Sequence, residues 1–195
     1  MPGIVTFAAL AVVTLIIWVI ALNRPPDVTE AAACNPPADN TTSDPTQSKL
    51  GEQVTRASMT EVGPANLADT KIRVLNASGQ GGQAAEVAGQ LRDLGFAEPT
   101  AENDPLYTNN RLACHGQIRF GPGGRAAAAT VWLVAPCVEL FQDQRPDNTV
   151  DLAIGTDFTE LASSDDTEAV LSSLRPEATA PADPTLISKI HSTAC

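Results

Sequence analysis

Apolar and polar positions alternate across Lys71-Ile72-Arg73-Val74-Leu75-Asn76, and the spacing then changes to every third or fourth position from Gln83 to Leu94. A period of two predicts a strand with Ile72 and Val74 on one face and Arg73 and Leu75 on the other. The longer period gathers Ala84, Val87, Ala88, Leu91 and Leu94 into the apolar stripe of a helix. Gly95 stands where a left-handed residue ends such a helix, and Phe96 can fold back on its last turn. The pattern recurs: Ile118-Arg119-Phe120 is followed by a glycine-rich turn and Gly123-Gly124-Arg125-Ala126-Ala127. Two strand–turn–helix units are predicted.

Between and beyond them the pattern predicts a short strand and turn over Glu98–Leu106, a third strand at Gln117–Phe120 and a nearly uncharged helix over Ala126–Ala135 that Pro136 ends. Closing strands follow at Val138–Gln142 and Thr149–Ile154. The order β-α-β-β-α-β-β predicts an α+β two-layer sandwich, a small mixed or antiparallel sheet with both helices on one face. Ser163-Ser164-Asp165-Asp166 opens a further helix with acids in its first turn. Asp183-Pro184 starts a last short one, with Leu186, Ile187 and Ile190 available for docking.

The N-terminus has a different pattern. Ile4–Leu22 is uncharged and almost wholly apolar; as a helix it would span roughly 28 Å, about one hydrocarbon core. No Lys or Arg precedes it and Asn23-Arg24-Pro25-Pro26 follows, which favours a retained anchor over a cleaved signal peptide. Ala31-Ala32-Ala33-Cys34 resembles a lipoprotein box, but charged and Pro-rich residues separate it from the apolar run. The expected organisation is a transmembrane anchor at 1–23, a flexible tether at 24–69, with a short ordered piece near Leu50–Met59, a folded domain at 70–175 and a tail at 176–195.

Arg73-Val74-Leu75-Asn76-Ala77-Ser78-Gly79, with the helix that follows, resembles the C-terminal domain of LytR-type cell-wall proteins. Asn103-Asp104-Pro105, Cys114-His115-Gly116-Gln117-Ile118-Arg119-Phe120-Gly121, Pro136-Cys137-Val138-Glu139-Leu140 and Val150-Asp151-Leu152-Ala153-Ile154-Gly155-Thr156 are similar to an actinobacterial group of envelope-integrity proteins within it. The resemblance implies a membrane-anchored extracytoplasmic factor with no assigned catalytic site. Its partners would be cell-wall glycan or wall-assembly proteins.

Charge narrows the classes further. A net charge of −11 leaves too few clustered cations to neutralise nucleic-acid phosphates. Alternation places Arg73 and Arg119 on the open face of the sheet, on strands expected to be neighbours. Together with Arg125 they form a candidate ligand patch, suited to carboxylate or phosphate groups of wall polymers. The competing reading pairs the arginines with Glu139, Glu98 or Glu102 on flanking strands. The turns Ser78–Gly82 and Gly121–Gly124 present backbone N–H groups at helix starts, yet no Lys-Ser or Lys-Thr follows, so neither is a nucleotide loop.

Four cysteines favour disulfides outside the cytoplasm. Arg24, by the positive-inside rule, leans weakly the other way. Topology places Cys114 and Cys137 at one end of the sheet and predicts Cys114–Cys137, leaving Cys34 to Cys195. Cys114, His115, Cys137, His191 and Cys195 form at best a poor zinc set, with no CxxC pair. No cofactor is expected. Neither GxSxG nor HExxH occurs, and Asp151, Asp157 and Glu160 are too ordinary to define an acid pair. The expectation is a non-enzyme; a wall-polymer hydrolase or transferase and a solute-binding lipoprotein anchored at Cys34 are the alternatives.

Overall fold

The computed structural model describes Val13, Thr14, Trp18 and residues 33–38, 50–192 and 195. Most of the expected anchor, and tether residues 24–32 and 39–49, lie outside the described residues. Among the described residues no helix is long and apolar enough to cross a membrane.

The chain runs β1 (Glu52–Gln53), α1 (Arg56–Thr60), a 3-10 turn (Leu67–Asp69), β2 (Lys71–Asn76), α2 (Gln83–Leu94), β3 (Ala97–Asn103), β4 (Gly116–Phe120), a second 3-10 turn (Pro122–Gly124), α3 (Arg125–Val134), β5 (Glu139–Gln142), β6 (Val150–Ile154), α4 (Asp165–Ser173) and α5 (Pro184–His191). The two expected strand–turn–helix units are both βαβ crossovers: β2 and β3 pair in parallel across α2, as do β4 and β5 across α3. A six-stranded mixed sheet results, ordered β1-β5-β4-β6-β2-β3.

The placement of β6 departs from expectation. It does not close the sheet at an edge but lies between the two units, parallel to β2 and antiparallel to β4. Val150-Asp151-Leu152-Ala153-Ile154 is buried throughout, as a strand covered on both faces should be. Arg73 and Arg119 are therefore not on neighbouring strands; Asp151 stands in register with both of them.

Ile72, Val74, Ile118, Phe120, Leu140 and Leu152 point to the helical side, where they join Val87, Leu91, Val131 and Trp132 in the main core. Each such side chain, fully buried, contributes about 2 kcal/mol. Gly95 ends α2 in the left-handed conformation, its N–H on the Arg92 and Leu91 carbonyls. Ser164 Oγ accepts from Thr167 N at 3.1 Å at the start of α4, and Asp183 Oδ1 from Thr185 N at 2.8 Å at the start of α5.

The folded unit begins before residue 70. Met59 and Leu67 are buried in the main core, so this stretch, assigned by composition to a flexible tether, carries the apolar anchors that dock it. At the other end Ile187 and Ile190 seat α5 on the same core.

Candidate functional site

The sheet face opposite the helices is not open. The loop from Asp104 to His115 folds across it, burying Leu106, Tyr107, Leu112 and Cys114 against Leu75, Ala77 and Ala153. A strap from the N-terminal side lies on that loop. Asn35 Oδ1 accepts from Ala113 N at 2.6 Å and its Nδ2 donates to the Arg111 carbonyl at 3.0 Å. Tyr107 Oη donates to the Asn35 carbonyl at 2.7 Å, and Asn110 Nδ2 to that of Pro36 at 3.3 Å. The Cys34–Cys114 disulfide locks the strap, with Cα atoms 5.0 Å apart.

That bond overturns the expected pairing. All four cysteines are bonded, but as Cys34–Cys114 and Cys137–Cys195. Cys114 and Cys137 do share one end of the sheet, since β4 and β5 run parallel. They lie on opposite faces of it. Cys114 packs under the strap, whereas Cys137 follows α3 on the helical side and meets the chain end just beyond α5. A disulfide tolerates Cα separations only to about 7 Å and needs Cβ vectors that converge. The three cysteines of the zinc set, Cys114, Cys137 and Cys195, are likewise committed to disulfides, and no group of metal ligands occurs among the described residues. Diacylglycerol attachment at Cys34 is incompatible with this structure, because its sulfur is committed to Cys114.

Beneath the loop lies Arg119, whose side chain is 2 % exposed and 2.9 Å from the Asp104 carboxylate. Its Nε and Nη2 donate to Gln117 Oε1 at 3.2 and 2.8 Å. Asp104 Oδ1 also accepts from Leu106 N at 2.8 Å, which fixes the start of the loop. The guanidinium lies 5.6 Å from the Tyr107 ring centroid. Gln117 Nε2 donates to Tyr107 Oη at 3.4 Å, so one polar chain runs from Arg119 to the strap. Burial raises the Tyr107 pKa above its ordinary value.

Arg73 is separate. It meets Asp151 with two bonds, Nε to Oδ1 at 2.7 Å and Nη2 to Oδ2 at 3.0 Å, and remains 44 % exposed. Arg145 reaches the same carboxylate at 2.7 Å and also grips Asp143. Burial opposes the Arg145 charge, yet the hydrogen bonds it donates to Asp143 and Asp151 outweigh that and raise its pKa. The Asp151 hydrogen bond raises that of Arg73. Arg125 is elsewhere again, at the start of α3, donating to Gln142 Oε1 at 2.9 Å and to the Ser58 carbonyl at 3.2 Å. The sheet arginines thus do pair within the chain, but with Asp104 and Asp151 where Glu98, Glu102 and Glu139 had been expected. A joint patch of Arg73, Arg119 and Arg125 does not form, because β6 and the Asp104–His115 loop intervene. Asp151 serves these pairs, while Asp157 and Glu160 are exposed beyond the strand.

Two features escaped the sequence reading. His191 stacks on Trp132 with ring centroids 3.6 Å apart, while Arg56 lies 5.3 Å from the Trp132 ring centroid. A cleft of about 400 Å³ also lies beside the turn Gln80–Gly82, along α2 and against Phe158. The first brings together residues from three distant segments and has no local signal. The second was legible in part, as the polar positions Gln83, Glu86 and Gln90 on one face of α2.

The geometry defines a disulfide-locked α+β domain whose buried Asp104, Arg119 and Asp151 are held in ion pairs within the chain. The chain belongs to the LytR C-terminal-domain family: residues 69–158 match the model described as LytR cell envelope-related transcriptional attenuator. It is 62 % identical over 194 residues to the cell envelope integrity protein Cei of Mycobacterium tuberculosis, covering 100 % of this chain and 89 % of that protein. It is also similar to the crystal structure of the soluble domain of a conserved hypothetical secreted protein from Mycobacterium marinum. That likeness has a TM-score of 0.74 and 67 % identity, over 76 % of this chain and 100 % of the other.

Proposed function

We propose that this chain is a non-enzymatic, membrane-anchored extracytoplasmic protein that maintains envelope integrity by binding cell-wall glycan or wall-assembly proteins. The observation that carries the reading is the 62 % identity across the whole chain to a protein named for cell envelope integrity. Both disulfides fit an oxidising compartment outside the cytoplasm. The apolar run Ile4–Leu22 is the anchor.

The strap gives that arrangement a geometry. With Cys34 fixed on the domain, residues 23–34 bridge anchor and domain, and they reach roughly 40 Å when fully extended. The domain therefore works close to the membrane surface. Its charge agrees with that placement only through the anchor, since an acidic protein gains nothing from an anionic leaflet.

Deleting the chain from its host tests the reading. Uptake of a membrane-impermeant dye should rise and return to normal when the full chain is restored, but not when residues 1–23 are omitted. Unchanged permeability in the deletion strain would overturn the envelope role, and full rescue without residues 1–23 would overturn the anchor.

A further inference from the structure

The cleft beside α2 has a lining that selects among ligand classes. Its volume, about 400 Å³, falls within the roughly 300–1,000 Å³ usual for small-molecule sites. Gln80, Gln83 and Gln90 line it, together with Glu86. Positions 83, 86, 87 and 90 share one face of α2. Val87 and Phe158 add a limited apolar surface.

Part of the cleft is prearranged. Gln83 Oε1 accepts from Ser78 Oγ at 2.6 Å, and its Nε2 donates to the Phe158 carbonyl at 3.2 Å. Those two bonds tie the glycine-rich turn to the segment after β6. Gln80 and Glu86 are exposed at the rim, and Gln90 is half-buried. The wall formed by Phe158 is itself held by the Asp104–His115 loop, since Asp157 N donates to the Cys114 carbonyl at 3.1 Å.

Among the described residues no Lys or Arg lines the cleft, and the Glu86 charge opposes the attraction of the helix start for anions, so phosphate and uronate groups are disfavoured. A predominantly polar lining gives little to a lipid chain. Amides both donate and accept hydrogen bonds and a carboxylate accepts them, which matches hydroxyl and N-acyl groups arrayed around a ring with apolar faces. We propose that this cleft binds a neutral segment of saccharide, with Gln80, Glu86 and Gln90 reading its hydroxyl and N-acyl groups. The proposal rests on the wall-binding function above and supplies its contact surface, which the paired sheet arginines do not. Cleft and Cys34 lie at the same end of the sheet, so the saccharide is met on the side from which the tether leaves.

Amide NMR of the full chain in detergent micelles tests this, with chitotetraose as probe and tetragalacturonate as the anionic control. Chitotetraose should shift residues 80–90 and 158–159, and tetragalacturonate should not. Gln80→Ala with Gln90→Ala should weaken binding at least tenfold. Gly81→Phe should abolish it; a Cβ at this lining position meets nothing within 4 Å, so the ring can be placed at the cleft with its attachment point uncrowded. No shift at millimolar chitotetraose, shifts confined to other residues, or undiminished binding by Gly81→Phe would overturn the site. If Gly81→Phe still sediments with purified wall as the parent does, the cleft assignment fails while wall binding stands. A parent chain that binds chitotetraose in the cleft yet ignores intact wall supports the cleft and removes the wall function.

Discussion

His191 makes stability depend on pH in a predictable direction. His191 is 6 % exposed with its ring stacked on Trp132, and among the described residues neither ring nitrogen has a hydrogen-bond partner. Burial, reinforced by the nearby Arg56 guanidinium, lowers its pKa from 6.5 to about 4. The folded protein holds the imidazole neutral while the unfolded chain protonates it near pH 6.5. Between those values the unfolded state binds more protons, so stability rises with pH and is lost as pH falls from 6.5 toward 4. A shift of that size, at 1.36 kcal/mol per unit, corresponds to about 3 kcal/mol. His191→Phe keeps a ring against Trp132 and removes both the proton site and the unpartnered nitrogens. Guanidinium denaturation of parent and variant, disulfides intact, should give stabilities that diverge by about 3 kcal/mol between pH 7.5 and pH 4. Taking the difference cancels the carboxylates that titrate in both proteins. Curves that stay parallel across this window would refute the argument.

Three further outcomes follow from the packing. Arg119→Met strands the buried Asp104 carboxylate and should cost about 3–5 kcal/mol; adding Asp104→Leu should recover much of the loss, and a single-variant cost below about 1 kcal/mol by the same denaturation would count against a buried pair. Cys34–Cys114 closes a loop with sequence separation 80, so Cys34→Ser should lower stability by about 4.5 kcal/mol in the chain-entropy model; non-reducing peptide maps of the parent should show Cys34–Cys114 and Cys137–Cys195 and no other linkage. Gly155→Ala drives a methyl group into the Cys114 carbonyl and should cost about 2 kcal/mol by overpacking, measured as a lowered thermal midpoint.

The elements were legible because their periods are clean. Ile72 and Val74 against Arg73 and Leu75, and the stripe from Ala84 to Leu94, are each set by short-range geometry. Strand order was not, since β6 could be placed between the units only by weighing its burial on both faces, and Asp151 disguises that burial. The cysteine pairing failed for a related reason: topology fixes the end of the sheet at which a residue lies, while the face depends on where the Asp104–His115 loop folds. Within a polar segment Met59 and Leu67 gave too sparse a signal against the surrounding Thr, Ser and Asn. The two arginines were singled out as a candidate ligand patch, and the structure pairs each of them within the chain. Their partners, Asp104 and Asp151, come from a loop and a strand whose spatial neighbours the linear sequence does not state.

Co-sedimentation of the full chain with purified host cell wall, with mass spectrometry of the soluble fraction, tests the functional account most directly. The account predicts saturable binding, no release of wall fragments over many hours, and loss of binding when soluble wall glycan competes. Release of fragments without a stoichiometric bound complex, or a chain that remains wholly in the supernatant, would contradict it.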